Sequence, residues 1–171
     1  MLAVALKLAA EGLGLDLGRI RIDEADRPAQ WPGAHAVGAR VSFRRRGGAP
    51  DWQELFGAAG AALAAAHAPA DRRDAAFVHG FGALLEGLLL EPGFLAARAD
   101  VEKRVATDLI RDLALRTAFR LRAHAAALRV ATEVERGLSG AAWREAYRDA
   151  LSAATDAEWD PGRAARDGDA R

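Results

Sequence analysis

The chain has 171 residues, no cysteine, and 24 basic against 24 acidic side chains, so its formal net charge is zero. This length corresponds to about one domain, the balanced charge gives no global attraction to nucleic acid or acidic membranes, and disulfide or thiol chemistry is excluded. No uncharged apolar run reaches the ~18 residues of a membrane span. We therefore expect a cytoplasmic protein, bacterial by its alanine- and arginine-rich composition, with no nucleic-acid or membrane partner.

The first third of the chain predicts one short helix and a small sheet. Residues 2–11 are apolar at nearly every position, which favours a short buried helix. Charged and apolar residues alternate over 20–22, the pattern of a short strand. The same alternation over 37–46 predicts a half-buried strand with Val41 and Phe43 on its apolar face.

Two helices joined by a polar turn are predicted between Asp51 and Pro92. Asp51 is a suitable N-cap, and Glu54 lies three residues later, at the spacing of a capping box. Residues 57–62 have no side chain larger than a methyl group and include two glycines, each of which costs roughly 1 kcal/mol in a helix. Close approach of another backbone would offset this cost, and we expect the rest of the chain to pack around this pair.

The second half is predicted to be helical. A periodic apolar stripe over 99–136 indicates one long amphipathic helix or two in succession, and Gly137 is a suitable residue to follow its end. A further helix is predicted over 141–154. We expect one α-rich domain over 1–155, with its short strands within 19–46, followed by a frayed tail over 156–171.

Residues 55–63 (LFGAAGAAL) and 79–95 (HGFGALLEGLLLEPGFL) together resemble a known active-site region. They are similar, without a gap, to the two active-site helices of the thimet-oligopeptidase and oligoendopeptidase family of zinc metallopeptidases, in its bacterial branch. Weaker similarity extends over about 19–169. The resemblance implies a mostly α fold with a small β-sheet: a helical, zincin-like catalytic-core fragment without the family's N-terminal lobe, with long helices packed around a central helix pair.

The catalytic residues of that family are replaced in this chain. The resemblance places Gly57 and Ala61 where the zinc-binding histidines would lie, Ala58 at the general-base glutamate, and His79 at the third ligand, also a glutamate. A catalytic zinc needs three protein ligands, and glycine and alanine offer it no lone pair. We therefore predict no metal ligand and no catalytic residue here, and no cofactor, although zinc is the cofactor of the family.

These replacements predict a metallopeptidase-like pseudoenzyme with a degenerate HExxH motif that binds a peptide or a protein. In the family the edge of the sheet binds the substrate backbone, and strand addition is a general mode of peptide recognition. The resemblance thus implies a candidate peptide groove formed by Val41, Phe43 and His79. An ordinary small sheet packed on helices is the simpler interpretation of the same pattern.

Two alternatives remain, the first of which also uses the fold that the resemblance implies. One is a helical interaction or assembly module, because a truncated two-lobe fold would expose apolar surface and self-associate. The other is a peptide hydrolase that works with other residues or as part of a larger assembly. Its candidate residues are His35, His67, His79 and Glu86.

Overall fold

A computed structural model describes residues 2–27, 30, 33–69, 71, 74–98 and 101–162. The protein is mostly α-helical with a small three-stranded mixed sheet, which confirms the predicted fold class. The elements are, in chain order, α1 (Leu2–Gly12), a 3₁₀ turn (Leu17–Arg19), β1 (Arg21–Asp23), β2 (Ala34–Val37), β3 (Arg40–Phe43), α2 (Ala49–His67), α3 (Ala75–Leu88), α4 (Pro92–Arg98), α5 (Lys103–Glu135) and α6 (Gly140–Thr155).

Internal contacts divide the chain into two compact units, Met1–Ala114 and Leu115–Arg171. The boundary falls inside helix α5, whereas boundaries between independent domains usually fall in exposed linkers. The single domain expected over 1–155 therefore stays a prediction.

The sheet has the order β1-β3-β2, with β1 parallel and β2 antiparallel to the central strand β3. The strand predicted over 37–46 is wrong in its bounds, because β2 and β3 form a hairpin. Gly38 adopts a φ of 55° in the two-residue turn between them, a conformation that such turns require and that glycine adopts freely. The alternation also predicts Val37 on the apolar face with Val41, but Val37 is 69% exposed.

One apolar core holds the first unit together. It combines one face of β3 with apolar side chains from helices α1 to α5, and Val41 and Phe43 are fully buried in it. At its centre the ring of Phe56 stacks on Trp52 and meets Phe94 edge to face, with centroids 6.2 Å and 6.0 Å away. Helix α2 is therefore buried between the sheet and the other helices.

The start of helix α2 differs from the prediction. The N-cap is Gly48, three residues earlier than predicted, so Asp51 lies inside the first turn of the helix. Asp51 is 7% exposed, and its carboxylate accepts hydrogen bonds from the backbone N–H groups of Arg46 (3.0 Å) and Gly47 (2.9 Å). Asp51 thus fixes the loop that joins β3 to α2, since buried N–H groups need partners.

Glu54 connects helix α2 to the sheet and does not complete a capping box. Its Oε2 accepts a hydrogen bond from the N–H of Ala34 in β2 at 3.2 Å, and its Oε1 pairs with Arg46. The Cα of Gly33 lies against the same carboxylate, so a side chain at that position would collide with it.

The second unit is built from the C-terminal part of α5 and from α6. Ala123, Ala126 and Leu151 form its small core, and Trp159 packs against it. The indole N–H of Trp159 donates to the Thr155 hydroxyl at 2.7 Å. The expected frayed tail is thus described as far as residue 162, while 163–171 lie outside the described residues.

Gly137 follows α5 as predicted. It has a φ of 111°, and the N–H of Leu138 bonds back to the carbonyl of Glu133 at 3.0 Å. This arrangement satisfies a carbonyl at the helix end that would otherwise lack a partner.

Candidate functional site

Helices α2 and α3 cross in close contact at glycine positions, as the small residues of α2 predicted. A Cβ placed on Gly60 would lie 2.9 Å from the Cα of Gly82 and 2.9 Å from the carbonyl oxygen of Phe81. A Cβ on Gly82 would lie 2.7 Å from the carbonyl oxygen of Gly57. Real Cβ atoms do not approach other atoms this closely, so both positions require glycine for the observed packing.

Glu86 is the α3 side chain that faces Gly57. A Cβ built on Gly57 would lie 2.3 Å from Oε1 of Glu86 and 3.1 Å from its carboxyl carbon. The carboxylate therefore occupies the space into which a side chain at position 57 would project. Because Glu86 is flexible at its far end, this space could be vacated by rotation, whereas the Gly60–Gly82 contact between backbones could not.

The three small residues that the resemblance places at the motif, Gly57, Ala58 and Ala61, lie on α2, with Gly57 and Ala61 turned towards α3. Ala61 is buried, and its N atom lies 3.6 Å from the Cβ position of Gly82, while Ala58 is half-buried and packs against the core. None of the three carries a side-chain lone pair, and the space beside Gly57 contains a carboxylate. The residues present therefore do not fit the zinc site of the family.

Glu86, and not His79, is the α3 side chain that lies against Gly57. His79 is exposed on α3, seven residues before Glu86, and two helical turns separate residues seven apart by about 10 Å along the axis. The sequence interpretation included Glu86 only among the alternative hydrolase residues. The signal that could have found it is the same seven-residue spacing, which places residues 79 and 86 on one helix face.

The residues predicted to form a peptide groove do not line one open surface. Val41 and Phe43 are fully buried in the central strand and face the core, so their side chains do not line an open surface. Within the described chain the free strand edges belong to β1 and β2. The backbone N–H of Arg44 in the β3 strand extension donates to the carbonyl of Gly33. In an antiparallel pair every second residue bonds to the partner strand, so the backbone groups of Ala34 and Ala36 point outward at the free edge of β2.

The histidines suggested for an alternative hydrolase lie on separate elements. His35 is on the edge strand β2, His79 is on α3, and His67 ends α2, where its Nε2 lies 3.2 Å from the carbonyl oxygen of Asp16. Over the residues that the structure describes, no three histidine or carboxylate side chains gather closely enough to hold a metal ion. This arrangement brings none of the suggested histidines to Gly57.

Comparison of the chain with models of protein families, with curated proteins and with solved structures gives no match. Among the described helices, none combines the length and the apolarity that crossing a bilayer requires.

Proposed function

We propose that this chain is a non-catalytic relative of the oligopeptidase family that binds an extended peptide or protein segment without cleaving it. The observation that carries the proposal is the α2–α3 crossing. Two helices keep a tight glycine-based packing frame, while the positions that would bind and activate a metal hold Gly57, Ala58 and Ala61. Without ligands or a general base, this frame lacks what zinc-dependent hydrolysis requires, and peptide binding is the part of the family's activity that we propose for it.

The edge of β2, beside helix α2, is the proposed peptide site. Glu54 already accepts from the outward N–H of Ala34. The carbonyl of Ala34 and both backbone groups of Ala36 then remain for a strand of the ligand. Main-chain hydrogen bonds of this kind supply affinity in strand addition without demanding a particular ligand sequence.

An amide NMR titration with a pool of random octapeptides tests this site. We expect shifts concentrated on residues 33–37 in the parent chain. Ala36→Pro should weaken binding about tenfold, because it removes an outward donor that the β2–β3 ladder does not use. Ala36→Ser keeps the N–H and serves as the matched control, with circular dichroism reporting the fold of both variants. Shifts spread evenly over the protein, or equal binding by Ala36→Pro, would contradict the proposal.

A second candidate function is assembly through helix α5. Leu121 and Leu128 lie seven residues apart on one face of the helix and are 64% and 69% exposed, with the exposed Ala125 between them. Residues at this spacing form the apolar seam of paired helices. The alternative of a helical interaction module therefore rests on this exposed stripe.

Sedimentation velocity over a range of concentrations tests assembly. We expect the parent to form dimers at about micromolar concentration and the double variant Leu121→Glu/Leu128→Glu to remain monomeric, because burying glutamates in an apolar seam is unfavourable. Leu84→Glu, at a 51% exposed leucine on α3, is the control that should still dimerise. A compact parent monomer at every concentration would remove this candidate.

A further inference from the structure

Three arginines adjoin one residue, Ala39, in the turn between β2 and β3. Arg40 follows it in the chain, and Arg21 donates its backbone N–H to the Ala39 carbonyl at 2.9 Å. Arg19 lines an open depression of about 490 Å³ together with Gly38, Ala39, Ala65 and Ala66. Arg19 thus borders a depression that includes residues of helix α2, while Arg21 and Arg40 adjoin the turn through their backbones.

Two of these arginines are direct neighbours on the outer face of the sheet. Arg21 of β1 is in register with Arg40 of β3, so their side chains leave the same face. The adjacent pair, Ile22 and Val41, points to the core on the opposite face. All three arginines, Arg19 included, are exposed.

Salt bridges distinguish these three arginines from the others near the sheet. Arg27, Arg44 and Arg45 each form one, at 2.6 Å, 2.9 Å and 2.7 Å. Within the described residues, Arg19, Arg21 and Arg40 have no such partner.

Two carboxylates in the neighbouring sequence, Asp16 and Asp23, have other hydrogen-bond partners. Asp16 accepts from the N–H of Gly18 at 2.8 Å. The backbone N–H of Ala25 and, second, the guanidinium of Arg27 hold the pKa of Asp23 below its usual value. Arg21 makes the smallest contribution to this lowering, although Asp23 lies two residues along β1 on the same face.

Like charges directly opposite each other on neighbouring strands destabilise a sheet. Arg21 and Arg40 lie on strands that are about 4.8 Å apart, close enough for both guanidinium groups to reach one small group. An oxyanion placed between them would remove the repulsion and accept paired N–H donors from each, in the geometry that arginine favours. A phosphate monoester carries close to two negative charges near neutral pH and therefore neutralises the pair better than a single carboxylate does.

We propose that Arg21 and Arg40 form a binding site for a phosphate group, supplied either by free phosphate or by a phosphomonoester ligand. The site lies on the outer face of the sheet and is independent of the proposed peptide edge and of the α2–α3 crossing.

Thermal unfolding at constant ionic strength tests the site with four salts: chloride, acetate, inorganic phosphate and glycerol 2-phosphate. We expect the parent Tm to rise by about 4 °C in a phosphate salt at about ten times its Kd, and not in acetate. If the Tm rises more with glycerol 2-phosphate than with inorganic phosphate, the bound phosphate group belongs to a larger ligand. If it rises more with inorganic phosphate, the ligand is the free ion. Equal shifts in all four salts would overturn the proposal, as would a shift with acetate matching that with phosphate.

Arg40→Gln is the diagnostic variant, and Arg45→Gln, at an arginine already paired with Glu24, is its matched control. In low-salt chloride, Arg40→Gln should unfold at a higher temperature than the parent, because the like-charge pair is gone. It should also lose most of the phosphate-dependent shift, and isothermal titration should show at least about tenfold weaker phosphate binding. Arg45→Gln should keep the full shift; the same loss in both variants would overturn the assignment to Arg21 and Arg40.

Discussion

Gly82→Ala should lower the free energy of unfolding by about 3 kcal/mol, the upper range for overpacking a tightly packed interior. The added methyl group would lie 2.7 Å from the carbonyl oxygen of Gly57, an atom of the facing backbone that cannot rotate away. Helices α2 and α3 would have to separate, and the core around Leu85 would loosen with them. Urea unfolding followed by circular dichroism measures the change.

Gly80→Ala is the matched control for that substitution. Gly80 lies on the same helix, and a Cβ there would have no neighbouring atom within 4 Å. The substitution should stabilise the protein by about 0.5–1 kcal/mol, because alanine loses less backbone freedom in a helix than glycine does. Equal effects of the two substitutions would contradict the close crossing of α2 and α3.

Gly57→His combined with Ala61→His should create a zinc site. The two imidazoles would lie four residues apart on one face of α2, and Glu86 would supply a facing carboxylate. Three ligands with one open position match the requirement of zinc. We expect zinc affinity at least about a hundredfold above that of the parent, measured by competition with a chromogenic chelator.

Two further variants decide which residue of α3 completes that introduced site. Glu86→Gln in the double variant should remove most of the gain, whereas His79→Ala should leave it unchanged, because His79 lies about 10 Å farther along the helix. The opposite result would return His79 to the third-ligand position that the resemblance implies. A folded double variant without any gain would mean that α2 and α3 do not share the family's frame.

The sequence predicted the elements that repeat a strong local pattern. Helix α5, with its long apolar period and Gly137 after its end, was placed within a few residues, as were α1 and α6. Gly57 and Gly60 predicted a close backbone neighbour because their cost in a helix needs compensation. That neighbour is α3, which meets them with its own glycine, Gly82.

The sequence failed where long-range contacts overrule a local pattern. Alternation alone does not separate one strand from two, so the pattern predicts one continuous strand through the turn at Gly38. Asp51 and Glu54 had the spacing of a capping box, but both carboxylates bind N–H groups outside the helix instead. Which of His79 and Glu86 faces Gly57 depends on the offset between α2 and α3, which no single-helix pattern contains.

Zinc content measured on the purified parent chain tests the central claim most directly. The protein would be saturated with zinc, passed through a desalting column and analysed by inductively coupled plasma mass spectrometry. Because Gly57, Ala58 and Ala61 offer a metal no side-chain ligand, we predict less than about 0.1 zinc ion per chain. A value near one zinc ion per chain, lost on Glu86→Gln, would contradict the account of a packing frame that no longer binds metal.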